Sequence, residues 1–263
     1  MLISKPLGTT GLNVSPLGIG TVKWGRTEGL KHGHFELPDD RACLELLDTA
    51  LESGVNVLDA APAYGLAEER LGQLLGARRE LFHLFTKTGE IFRDGKSSWD
   101  FSAGHTRRSV EESLRRLRTD RLDAVLLHCP REDLPVIRDT AALEVLAALK
   151  AEGKIRAVGI STMSLEGGLA AVPLCDVVMV AWNAWFHEQQ PVIEAAAAAG
   201  RGVLLKKVFS SGNLPPDAGT DAAEFCLRAA LRLPGNPVVI AGTISPAHLK
   251  ANIKAARSCT PVV

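Results

Sequence analysis

The chain has 263 residues, of which 46% are hydrophobic and 23% charged, close to ordinary globular usage and far from the composition of disordered chains. That length exceeds the usual domain size yet falls where α/β barrels form one unit, so a single domain over 1–263 is expected. Thirty Lys plus Arg against thirty Asp plus Glu leave no net charge, which removes the basic field that phosphate backbones require and excludes a nucleic-acid partner from the expectation.

Near the start, GTTGLNVS lies between apolar positions and predicts a short N-terminal β-hairpin closing the floor of the fold. Eight short runs then follow, each almost continuously apolar as strands buried on both faces are, with helix-like segments between them. LGIGT leads to a long connection over 22–38 and a helix near Pro38; VNVLD leads to a helix near Glu68; LFHLFTK leads to a long connection over 89–104. In HTRRSVEESLRRLR, Val110, Leu114 and Leu117 share one face of an otherwise polar helix. After DAVLLH comes TAALEVLAALKAEG, where Leu143, Leu146 and Leu149 form a stripe, Asp139 stands at the N-cap and Gly153 lies past the last turn. IRAVGIS, DVVMVAW, a helix near Gln190, GVLLKK, a connection over 208–220, a helix near Asp221, PVVIAGT and a helix near Pro246 complete the series.

Thr21 and Thr243, at the ends of the first and eighth runs, stand 222 residues apart, about 32 per interval, the size of a strand plus a crossover helix. Eight such units predict an α/β fold of the (β/α)₈ TIM-barrel type. A doubly wound sheet would want a Gly-rich phosphate fingerprint after its first strand, and GIGTVKWG lacks the GxGxxG spacing.

A barrel of this kind carries its site at the carboxyl ends of its strands, and polar residues end four of the runs: Asp59, Lys87, His128 and Ser161. Tyr64, the single tyrosine, follows Asp59 in DAAPAYG. Each has an ordinary explanation when read alone. Asp59 could form a turn, Lys87 could extend to solvent, His128 could be a satisfied core histidine and Tyr64 could rest on apolar neighbours. Together they form a proton donor for a carbonyl oxygen: the Lys87 ammonium, held by Asp59, is expected to lower the pKa of Tyr64, and neutral His128 to polarise the carbonyl.

The blocks LGTTGLNVSPLGIGT, GVNVLDAAPAYG, LFTKTGE, HTRRSVEESLRRLRTDRLDAVLLHCP, LKAEGKIRAVGIS and VVIAGTISPAHLKANI, taken in order, resemble the aldo-keto reductase superfamily over nearly the whole chain. The resemblance implies a barrel that binds NADP(H) or NAD(H) without a Rossmann domain and reduces aldehydes or ketones. It maps the catalytic tetrad onto Asp59, Tyr64, Lys87 and His128. It also implies cofactor contacts at Gly20, Thr21 and Ser161, with Thr162 in place of the family's asparagine. An apolar residue in VVMVAWN replaces a glutamine, and Lys206 replaces a tyrosine that often stacks on nicotinamide. KKVFSSG would supply the pyrophosphate loop through Ser210, Ser211 and Gly212. Ser245 and Pro246 read as N-cap and first position of the last helix, whose free amides suit an anion. Gly242, Thr243, His248 and Asn252 surround that helix start. Relatives restricted to NADP place Lys and Arg where Gly242 and His248 stand here, yet histidine can bond a 2′-phosphate, so NADP(H) is favoured with NAD(H) possible.

The remaining features carry smaller expectations. His32 and His34 lack a third ligand, so no metal site is expected. Trp24, Phe92, Trp99 and Phe101 are expected to line an apolar substrate pocket, and Cys129 to pack rather than react. Five scattered cysteines without a CxxC signal neither disulfides nor thiolate zinc. MLISKPLGTTG has no signal core and no run of about 18 apolar residues occurs, so a cytoplasmic protein without a membrane partner is expected. Little chain follows the last helix, which predicts an open pocket. The leading expectation is an NAD(P)H-dependent carbonyl reductase or alcohol dehydrogenase acting on a small-molecule carbonyl or alcohol, with Tyr64 as general acid and base. The alternatives are a nucleotide-binding regulatory or sensor protein on the same barrel, and a barrel hydrolase or isomerase using Asp59 and His128. Oligomeric state is not legible.

Overall fold

The computed structural model describes residues 1–30, 35–214 and 221–259. His32 and His34, part of the 208–220 connection and the last four residues lie outside these. In chain order the elements are β1 (Lys5–Pro6), β2 (Asn13–Val14), β3 (Leu17–Gly20), α1 (Asp40–Ser53), β4 (Val57–Asp59), α2 (Ala67–Leu74), β5 (His83–Thr88), β6 (Glu90–Arg93), β7 (Lys96–Trp99), α3 (Ala103–Arg116) and β8 (Leu122–His128). There follow α4 (Asp133–Asp139), α5 (Ala142–Ala151), β9 (Ile155–Ser161), α6 (Leu165–Ala171), β10 (Val177–Ala181), α7 (Gln190–Ala198), β11 (Gly202–Lys206), α8 (Ala222–Leu231), β12 (Val238–Gly242) and α9 (Pro246–Arg257).

The strands β3, β4, β5, β8, β9, β10, β11 and β12 pair in parallel, and β12 returns to β3, which closes the cylinder. Each coincides with one of the apolar runs. Alternation along the strands sorts their side chains into two cores. One lies inside the barrel and contains Val57, Phe85, Ala124, Leu126, Ala157, Val177, Leu204 and Val238. The other lies between barrel and helices, where Leu58, Val125, Leu127 and Leu205 meet residues such as Leu47, Val110, Leu146 and Leu227. The hairpin β1–β2 puts Leu7, Leu12 and Val14 into the inner core and so plugs the floor. Fully burying one such leucine stabilises the fold by roughly 1.5–3 kcal/mol, so both layers are needed.

Three local features differ from the sequence reading. Asp139 does not cap α5; it ends the separate helix α4, and α5 begins at Ala142 without a side-chain cap. The 89–104 connection contains the antiparallel hairpin β6–β7, turned at Asp94 and Gly95 with φ of 50° and 74°. Trp24, Phe92, Trp99 and Phe101 do not line the main cavity. Trp24 is buried and donates from Nε1 to Thr243 O at 3.3 Å; Phe101 packs on the bare α-carbon of Gly89; Phe92 stacks 3.3 Å from the Arg26 guanidinium; and Trp99 is exposed. Trp24, Phe92 and Phe101 are taken up by packing within the loops instead, and Trp99 faces solvent.

Candidate active site

The same alternation that builds the inner core delivers polar groups to its upper rim. Asp59 stands two residues above Val57, Lys87 above Phe85, His128 above Leu126 and Lys206 above Leu204, each on the inward face. Ser161 lies beside His128 in the β8–β9 register. A cavity of about 490 Å³ opens at this level, and Asp59, Tyr64, Lys87 and His128 are among its lining residues.

Tyr64 reaches the rim from a 3₁₀ turn over Pro62–Tyr64, started by proline and left by Gly65 at φ 61°. Gly25 and Gly65 are pressed together there, Leu66 N donating to Gly25 O at 3.3 Å; a Cβ on Gly65 would run into the Gly25 backbone, and one on Gly25 into the backbone of Tyr64, Leu66 and Ala67. Arg26 fixes the same turn by donating to Ala63 O at 3.1 Å.

Lys87 Nζ donates to both Asp59 oxygens, at 2.7 and 2.8 Å, and to Ala60 O at 2.8 Å. Its ammonium also interacts by hydrogen bond with the Tyr64 hydroxyl. Burial alone would strip the ammonium of its proton, but Asp59, helped by Tyr64, more than offsets this and its pKa lies above the ordinary lysine value. Nζ is 4.7 Å from the centre of the Tyr64 ring. The expected fall in the Tyr64 pKa does not result: burial pushes the phenol up, Asp59 and Glu90 add to this, and Lys87 opposes it only in part. Tyr64 therefore holds its proton at neutral pH.

His128 meets Tyr64 edge to face, with centroids 6.1 Å apart at 85°. Burial pushes its pKa down; Glu90 opposes, and the cations Lys87 and Lys206 add to the fall. Glu90, which begins β6, was not singled out by the sequence. Its Oε2 lies 2.7 Å from His128 Nδ1, and its Oε1 accepts from Ser97 Oγ at 2.5 Å and lies 3.7 Å from Arg26 Nη1. The available signal was the Asp94–Gly95 dipeptide, a two-residue hairpin turn that sets Glu90 opposite Trp99 and Ser97 opposite Phe92, two places along from Glu90.

A family model described as the aldo/keto reductase family matches residues 16–217. The chain belongs to the aldo/keto reductase family. It is thereby an oxidoreductase, in a family whose members use NAD(P)H. A putative aldo-keto reductase from Pseudomonas aeruginosa superposes with a TM-score of 0.88 at 45% identity, covering 97% of this chain and 95% of that one. The holo form of an aldo-keto reductase from Bacillus halodurans gives 0.80 at 28% identity, with 100% and 93% covered. Among sequence relatives, a D-threo-aldose 1-dehydrogenase of Pseudomonas is 31% identical over 78% of this chain and 68% of its own length. L-galactose dehydrogenase of Arabidopsis thaliana is 34% identical over 62% of this chain, a match that takes in 49% of the plant enzyme.

Within this aldo/keto reductase the remaining expected contacts fall into two groups. Gly20, Ser161, Lys206, Ser211 and Gly212 line the cavity, and it continues past Gly242, Thr243, His248 and Asn252 at the start of α9. Gly20 and Gly242 are register partners, and their bare α-carbons leave the floor between the tetrad and α9 open. Ser210, Ser211 and Gly212 all have positive φ, 48°, 57° and 82°, a run that turns successive amides toward one side. Ser245 accepts from His248 N at 3.3 Å and caps α9 as expected. Thr21, Thr162 and Ser210 do not line the cavity. Thr21 is engaged twice by Asp59 O, through N and Oγ1 at 2.9 Å each, and Thr162 N donates to Met179 O at 3.0 Å.

The position expected to be apolar in VVMVAWN is Met179, on the cavity wall. Gln189 enters from further along the chain, but is buried, accepting from Ala181 N at 2.8 Å and donating to Ser164 O at 2.8 Å. Buried Asp133 holds the segment after Ser161, accepting from Met163 N at 2.7 Å and from Ser164 N and Oγ at 2.9 and 2.6 Å. Cys129 is packed, its thiol pushed up to about 12 chiefly by burial. Among the described residues no group of three His, Cys, Asp or Glu is placed to hold a metal, and no helix is long and apolar enough to cross a membrane.

Proposed function

We propose that the protein transfers hydride between NADP(H), in preference to NAD(H), and a small aldehyde or ketone, with Tyr64 giving and taking the proton. The observation that carries this reading is the convergence of Tyr64, the Lys87–Asp59 pair and His128 on one cavity that is also lined by His248 and Asn252 at the capped start of α9. An open glycine floor, a hydroxyl and an amine at Ser161 and Lys206, and helix-start amides at α9 suit a dinucleotide laid along that cavity. Ser161, Met179 and Lys206 would hold the nicotinamide end, Ser211 and Gly212 the pyrophosphate, and His248 with Asn252 the adenosine end. When bound, the cofactor supplies or accepts the hydride.

The chain's own part is proton handling and orientation. The neutral Tyr64 hydroxyl donates to the carbonyl oxygen, and as that oxygen gains charge the phenol proton moves to it. The tyrosinate left behind faces an ammonium that Asp59 keeps protonated, so the charge forms where a cation already stands. The mouth of the barrel keeps these groups from bulk water and strengthens their interaction.

The test is an assay of NADPH oxidation across a panel of aldehydes, run beside nucleotide binding. Tyr64→Phe is expected to lower kcat/KM by at least about 10²-fold while nucleotide binding persists. Undiminished turnover would remove Tyr64 from the role. Nucleotide binding by the wild-type protein with no oxidation on any aldehyde would support the sensor reading instead.

A further inference from the structure

The end of β11 puts an amine on the cavity wall among neutral acceptors. Lys206 stands one inward position above Leu204 and reaches past β10 to the end of β9, where it donates to the Ser161 hydroxyl at 2.9 Å and to Thr162 O at 2.8 Å. Ser161 is in turn the register partner of His128, which brings the amine within Coulombic reach of the tetrad. The charged and titratable groups that face Lys206 are Lys207 next to it in the chain, Cys129 and His128 from the end of β8, Lys87 from β5 and Asp59 from β4. Burial first, then Lys207 and Lys87, bring its pKa down to about 7. Lys87 stays charged, His128 neutral and the Cys129 thiol protonated across that point, whereas Lys206 changes its charge there.

Tyr64 and His128 can serve a hydride transfer only if a nicotinamide ring stands beside them, and hence in the field of Lys206. The reduced ring is neutral and the oxidised ring carries a positive charge. We propose that Lys206 makes the site discriminate between the two redox states of its cofactor: the ammonium repels the oxidised ring and tolerates the reduced one, so that protonating this one amine turns the protein toward carbonyl reduction. The proposal rests on the hydride-transfer reading above. The repulsion has a ceiling, because Lys206 can shed its proton to admit the cation. One pH unit below the titration point that release costs a factor of about ten, so discrimination against the oxidised form approaches tenfold there and vanishes well above it.

The test compares affinities for NADPH and NADP⁺ by calorimetry at about pH 6 and about pH 9, on either side of the Lys206 titration. The adenosine, the pyrophosphate and their contacts at α9 are common to both nucleotides and cancel in the ratio of the two dissociation constants. In the wild type the preference for NADPH over NADP⁺ is expected to be about five- to tenfold larger at the lower pH. Lys206→Met should hold the ratio near its high-pH value throughout. Lys206→Arg, whose guanidinium stays charged, should hold it at or above the low-pH value throughout. A merely structural role for Lys206 would move both nucleotides together and leave the ratio flat in all three proteins.

A wild-type ratio independent of pH would overturn the proposal and leave the hydride-transfer reading standing. So would a pH dependence that survives in Lys206→Met, since another group would then carry it. Failure of both nucleotides to bind the wild type at either pH would end that reading, and this proposal with it.

Discussion

Two lysines face each other across the mouth of this barrel, and their settings differ in one respect that governs both. Lys87, at the end of β5, donates to both oxygens of a carboxylate and to a carbonyl. Lys206, at the end of β11, donates to the Ser161 hydroxyl at 2.9 Å, to Thr162 O at 2.8 Å and to the Met163 thioether at 3.4 Å. Neutral acceptors satisfy geometry but do not offset desolvation of a charge. The pKa of Lys87 is therefore raised, while burial first, and then Lys207 and Lys87, bring Lys206 down to about 7. A strand-end lysine in an apolar cylinder stays charged where a carboxylate is supplied and becomes a titrating amine where none is. The half of the mouth around Lys87 is thus fixed in charge, and the half around Lys206 responds to pH.

The contrast can be broken most severely at Lys87. Lys87→Met leaves Asp59 buried without its partner and is expected to destabilise the fold by about 3–5 kcal/mol in urea denaturation. Adding Asp59→Leu should recover much of that loss, since two apolar residues leave no stranded charge. A single variant as stable as the wild type would show that Asp59 is hydrated in the mouth.

The next effect lies in the pH dependence at Lys206. Its folded pKa of about 7 is below the ordinary value of 10.5, so between these limits the unfolded chain binds a proton that the folded protein does not. Stability contributed by this group therefore rises with pH through that window, and its cost is constant below it. Relative to Lys206→Met, the wild type should gain stability from pH 7 to 10 with a slope on the order of 1 kcal/mol per unit. Parallel profiles for the two proteins would mean that the amine stays charged.

The smallest effect is expected at the exposed end of the same half. His248→Ala removes a side chain at the start of α9 and should shift the NADP-over-NAD binding ratio only a few-fold, about 0.3–1 kcal/mol. An unchanged ratio would place the 2′-phosphate elsewhere.

Much of this was legible in the sequence because strands record their faces with a period of two. Val57 and Asp59, Phe85 and Lys87, Leu126 and His128, Leu204 and Lys206 are each an inward pair separated by one outward residue. Such pairs mark a core layer with polar groups above it. The Ser245–Pro246 start of α9 was equally readable, because a cap is a local event. The rim aromatics were misjudged because a ring's preference for burial does not say which surface buries it. Helix α4 was missed because a seven-residue segment offers too short a periodicity beside the longer α5.

The sequence by itself determined which residues point into the barrel, since alternation and helix capping act between near neighbours in the chain. Tertiary structure alone decided what those residues meet. Closing the cylinder set Lys87 on Asp59 but gave Lys206 only neutral acceptors, and folding a hairpin over the mouth brought Glu90 to His128. It also buried Tyr64 deeply enough that desolvation outweighed the nearby ammonium and kept the phenol protonated. Charge and proton placement depend on distances across the fold, and these exist only once the chain has closed.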